Sequence, residues 1–80
     1  MHELGLTRNI VSIVAEHAAG RRVRKVRVAI GPLACVEREA LSFCFDLVAE
    51  GTVLEGAALE FLDAEGDSFL IKDFEVEEAA

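Results

Sequence analysis

One stretch, VRKVRVAIGP over residues 23–32, limits the folds open to this chain more than any other. Val26, Val28 and Ile30 fall on one side of an extended backbone, and Lys25, Arg27 and Ala29 fall on the other. A period of two with one apolar side describes a half-buried strand with a cationic outer face. Pro32 has no N–H to donate and Gly31 frees the backbone to turn, so the strand must stop there. On either side of it the apolar period changes to 3.6. Leu6, Ile10, Ile13, Val14 and Ala18 mark a first helix over residues 6–19, with Gly20 as its stop. Leu41, Phe45 and Val48 mark a second over residues 38–50, with Gly51 as its stop. His17 borders the first apolar face as a partly buried packing residue, and Leu4 anchors the approach to that helix.

The last third returns to extended character. Leu59 and Phe61 alternate with Glu60 and Leu62, DAEGDS supplies turn chemistry, and Phe69 to Val76 forms a second extended arm, which predicts a hairpin. Lys72 interrupts the apolar set of that arm, so a bulge or an edge position is expected near Lys72–Asp73. The acidic tail EVEEAA is expected to fray. The order helix, strand, helix, strand, strand gives an α+β fold. Its economical packing is a two-layer sandwich, with two helices on one face of a small mixed sheet of three to four strands. Eighty residues make a single domain, 1–80, near the lower size limit for a self-sufficient core.

The chain is 52% apolar and 29% charged, which is globular rather than disordered. No apolar run approaches the roughly 18 residues of a bilayer span, and the start lacks the basic and apolar regions of a signal peptide. A cytoplasmic protein without a membrane partner is the natural expectation. The net charge of −7 and the lack of aromatics between the arginines argue against nucleic acid. Yet Arg21, Arg22, Arg24, Lys25 and Arg27 hold five of the eight basic residues. Such a strip is either a docking face for an acidic protein or a solvated strand face with its counter-ions.

Cys35 and Cys44 lack C-x-x-C spacing, and Cys44 sits at helical spacing among Leu41, Phe45 and Val48 as a small buried hydrophobe. Ser12 and Ser42 have no partner base, and no phosphate-cradling glycine loop or H-E-x-x-H occurs. No residue set supports an enzyme. The start, MHE, differs in kind. The bulk of histidine keeps the initiator methionine in place, leaving a free amine on Met1. That amine, the His2 backbone nitrogen and the His2 imidazole can close fused chelate rings around one metal. Cu(II) and Ni(II) favour such nitrogen sets. Glu3 can add a backbone nitrogen or its carboxylate. On spacing alone, a mobile terminus with no function is the commoner meaning of a histidine at position two.

Together, MHELGLTRNI, VRVAIGPLACVE and ALSFCFDLVAEGTVLEGAALEF resemble the HypA/HybF family of hydrogenase nickel-incorporation proteins, and GDSFLIKDFEVEE is similar to that family's closing strand. The resemblance implies a cytoplasmic nickel metallochaperone, not an enzyme. Members deliver Ni(II) to the large subunit of [NiFe]-hydrogenase with a HypB-type GTPase, and some also serve urease. Carried over by position, the nickel ligands are Met1, His2 and Glu3. Glu37 stands where an acid of some members assists the site, although a carboxylate there also suits the positive end of the second helix. The family carries a zinc module on paired C-x-x-C motifs between its last two strands. This chain has LDAEGDS there and no cysteine beyond Cys44, so no zinc site is expected, only a turn around residues 63–68. Two alternatives stay open: an interaction module of the maturation machinery with vestigial metal binding, and a homodimer.

Overall fold

The computed structural model describes residues 2–78. Helix α1 spans Glu3–Ala18, strand β1 Val23–Ile30, helix α2 Arg38–Ala49, strand β2 Ala58–Asp63 and strand β3 Phe69–Val76. The three strands form one mixed sheet in the order β2-β1-β3. Strand β1 runs parallel to β2, with Val26 opposite Leu59 and Val28 opposite Phe61. It runs antiparallel to β3, with Val26 opposite Phe74 and Val28 opposite Ile71. Parallel neighbours need a crossover, and α2 supplies it between β1 and β2. Helix α1 enters β1 through residues 19–22. Both helices therefore run opposite to β1, and their N-termini lie at its C-terminal end.

Val26, Val28 and Ile30 are buried under the helices together with Ile10, Val14, Leu41, Phe45 and Leu54. This is the expected two-layer α+β arrangement. The α1 stripe is rotated from its expected position: Thr7 and Val11 are buried, whereas Ile13, Leu4 and His17 are exposed. Close packing of α1 on α2 sets that rotation, because it brings the Thr7–Val11–Ala18 side inward. The Thr7 hydroxyl is satisfied inside the core by donating to the Leu4 carbonyl at 2.9 Å. Cys44 is half-buried rather than enclosed, and Cys35 is exposed.

The expected hairpin does not form. Strands β2 and β3 flank β1 instead of pairing with each other. A turn sequence such as DAEGDS reports a reversal of the chain, not which strand the returning segment joins. β1, with apolar residues at most positions, is the strand that gains most from two neighbours. The predicted irregularity at Lys72 is present: Arg27 faces Asp73 and Val28 faces Ile71, leaving Lys72 as the extra residue of a bulge on an edge strand. The tail is ordered further than expected, since Glu77 N–H donates to the Arg22 carbonyl at 2.8 Å. Helix α1 ends through Ala19 in the left-handed conformation, with Gly20 following it.

Because β2 and β3 lie on opposite sides of β1, residues 64–68 must cross the end of β1. They do so as a small hydrogen-bonded seam. Gly31 N–H donates to the Ser68 carbonyl and Leu33 N–H to the Gly66 carbonyl, each at 2.8 Å, while Ala64 N–H donates to the Ile30 carbonyl at 3.1 Å. Gly31 is needed for this approach rather than for a turn. A Cβ there would stand 2.2 Å from the Gly66 carbonyl oxygen and 2.6 Å from that of Glu65, both main chain. Gly31→Ala should therefore destabilise the fold by about 2 kcal/mol through overpacking against backbone that cannot yield. Gly5→Ala, in an α1 position with open space around it, should stabilise by up to about 1 kcal/mol. Urea unfolding of the two variants measures both.

Candidate metal-binding terminus

His2 is the N-cap residue of α1, and its carbonyl accepts the first helical hydrogen bond from Leu6 N–H at 3.1 Å. Its side chain is exposed and makes no capping bond. The first peptide N–H groups of a helix have no acceptor within it. The peptide nitrogens of His2 and Glu3 are therefore not committed to the helix, which is the condition for either to lose its proton to a metal. Met1 lies outside the described residues.

Glu3 occupies the first turn of α1, and its carboxylate reaches across to the other helix. Its Oε2 accepts from the Glu37 peptide N–H at 3.2 Å. Glu37 is the N-cap of α2 and makes no side-chain cap of its own. Glu3 thus does for α2 what an acid three residues into the same helix does in a capping box. The hydrogen bond from Glu37, with the Glu3 peptide N–H contributing, holds the Glu3 carboxyl below the usual carboxylate range. Two residues 34 positions apart are brought together with His2 where the positive ends of both helix dipoles meet. Sequence spacing gave no sign of this pairing; only the resemblance put Glu37 near the terminus.

Among the described residues, no three or more His, Cys, Asp or Glu side chains gather as a cation site. A terminal chelate draws on main-chain nitrogens and one imidazole, which is a different donor set. Exposed and partly buried, the basic strip divides in two. Arg24 bonds Glu75 at 2.6 Å, Lys25 reaches Glu60 at 3.2 Å, and Arg27 grips Asp73 with Nε at 2.6 Å and Nη2 at 3.0 Å. These three cations have their counter-ions on the neighbouring strands of the outer sheet face. Arg21 and Arg22 enter no ion pair among the described residues. The Arg24 guanidinium, aided by Lys25, holds the Glu75 carboxyl low; Glu75 in turn raises Arg24, and the hydrogen-bonded Asp73 raises Arg27.

Comparison with known proteins adds the lineage. The profile of the family described as hydrogenase/urease nickel incorporation, metallochaperone, hypA, matches residues 1–73. Hydrogenase maturation factor HypA of Trichormus variabilis is 54% identical over 66 residues, which cover 82% of this chain and 58% of that protein. The factor of the same name from Nostoc punctiforme is 53% identical over the same shares. The chain thus spans 58% of the length of these relatives. The solution structure of the Ni metallochaperone HypA from Helicobacter pylori superposes with a TM-score of 0.69 at 14% identity, covering 98% of this chain and 95% of that one. At that identity the likeness speaks for the fold. A two-layer α+β domain of two helices on a three-stranded mixed sheet is the class of fold that the chain shares with that structure. The chain belongs to the HypA family of hydrogenase/urease nickel-incorporation proteins.

The two low carboxyls make a pH prediction. A carboxylate whose folded pKa is depressed contributes stability that is present above its unfolded pKa and lost as pH falls through the folded value. Carboxyl-carbon NMR titration should find Glu3 and Glu75 titrating below the usual carboxylate range. The Glu37 amide proton should shift along with Glu3. If Glu3 titrates in the usual carboxylate range, the cross-helix cap does not exist in solution.

Proposed function

We propose that this chain carries Ni(II) on its Met-His-Glu terminus and hands it on during maturation of a nickel enzyme in the cytoplasm, a [NiFe]-hydrogenase first and urease second. Family membership over residues 1–73 is the observation that carries the reading. The ligands are the Met1 amine, the His2 peptide nitrogen and imidazole, and Glu3, with Glu37 close by through its peptide N–H on the Glu3 carboxylate. The chemistry is that of a carrier. Nickel is bound by deprotonated nitrogens and released intact, so no bond of a substrate is made or broken.

Two features support this terminus as the site. The His2 side chain is exposed with no capping role, and the peptide nitrogens beside it are outside the helical ladder. Glu3 and Glu37 bring negative charge to a point where two helix dipoles would otherwise repel a cation. The partners in this reading are a HypB-type GTPase and the hydrogenase large subunit. No zinc belongs to it: residues 64–68 join β2 to β3 directly, and the sequence has no cysteine after Cys44 from which a tetrahedral site could be built there.

Nickel titration of the tag-free protein tests the proposal. About one Ni(II) per chain is expected for a single terminal chelate, with absorption bands of a planar nitrogen site rather than an octahedral one. His2→Ala should abolish binding, and so should a short N-terminal extension that removes the free amine. Loading should fall in acid as protons compete for the same nitrogens. Unchanged affinity in the extended protein would sink the terminal chelate.

A further inference from the structure

The core side of α2 is Leu41, Phe45 and Ala49, all buried. Phe43 and Leu47 stand two residues on from Leu41 and Phe45, which at about 100° per residue puts them on the opposite side of the helix. They are 66% and 51% exposed and one turn apart, so they form a continuous apolar strip on the outside of α2. Glu39, Asp46 and Glu50 border that strip, and none of them enters an ion pair among the described residues. The cations Arg24, Lys25 and Arg27 are held on the outer sheet face by Glu60, Asp73 and Glu75. An aromatic centre with an uncompensated acidic border has the anatomy of a protein interface: an apolar anchor inside a charged rim.

We propose that the outer face of α2 is a docking surface for a protein whose contact site is an apolar pocket ringed by lysine and arginine. Phe43 is the anchor, and Leu47 extends it along the helix. Glu39, Asp46 and Glu50 meet the partner's cations, speed encounter and make docking sensitive to salt. The basic strip is not this contact, because three of its five members already have partners in the sheet. The inference rests on the carrier reading in one respect: a carrier must dock to deliver.

The test uses the full chain with a purified HypB-type GTPase and, separately, the hydrogenase large-subunit precursor of the same organism. Titration calorimetry with one of them should show Phe43→Ser binding about thirty-fold or more weaker, the loss typical of a buried aromatic anchor. Asp46→Lys combined with Glu50→Lys should slow association and flatten its salt dependence. Arg21→Glu combined with Arg22→Glu should change little, and circular dichroism should show all variants folded. Nickel titration of the same variants should match the parent, which separates this proposal from the terminal chelate. Docking through Phe43 without nickel binding would support the surface while sinking the carrier reading. Normal nickel binding with no docking to either protein, or docking indifferent to Phe43, overturns the surface. A self-dimer that Phe43→Ser dissociates in sedimentation also overturns it, in favour of a second copy as occupant.

Discussion

The main chain of residues 64–68 lies so close to Gly31 that no side chain fits between them. The rest of the architecture depends on that contact. It allows β2 and β3 to flank β1 on opposite sides while a short segment joins them across its end. With both edges of β1 paired, the alternation of VRKVRVAI becomes useful on both faces at once. Its valines and Ile30 make the floor of the core, and its cations receive counter-ions from β2 and β3. A hairpin between β2 and β3 would have left β1 at an edge, with its apolar side less covered.

The same end of the sheet gathers the functional candidates. Because both helices run against β1, their N-termini arrive where β1 ends. The Glu3 carboxylate then caps α2 through the Glu37 N–H. Two positive helix ends side by side are unfavourable for a cation and favourable for carboxylates. The candidate site is thus held in shape by the Glu3 carboxylate, which joins the heads of the two helices. Residues 64–68 join β2 to β3 directly at this end of the sheet.

Much of the fold was legible because burial leaves a period in the residues. The strand at 23–30, the second helix and its Leu41–Phe45 face, and even the Lys72 bulge follow from alternation or from its interruption. What was misread has a common cause. The exposed Ile13 and the buried Val11 depend on how α1 is rotated against α2. The false hairpin depends on which strand wins a neighbour. The ordered Glu77 depends on the Arg22 carbonyl lying opposite it. The role of Gly31 depends on a segment more than thirty residues away. None of these partners is local, so no window of sequence contains them.

The candidate site divides in the same way. The sequence by itself offered the proposed donors, because Met1, His2 and Glu3 are consecutive residues, and family membership is written in the motifs of residues 1–73. It also determined that the five clustered cations include alternating residues of one strand. Tertiary structure alone decided that three of them are neutralised by acids on neighbouring strands and that Glu3 reaches Glu37. Those outcomes are set by through-space distances of a few ångströms between segments far apart in the chain, and they exist only once the sheet order and the helix rotation are chosen.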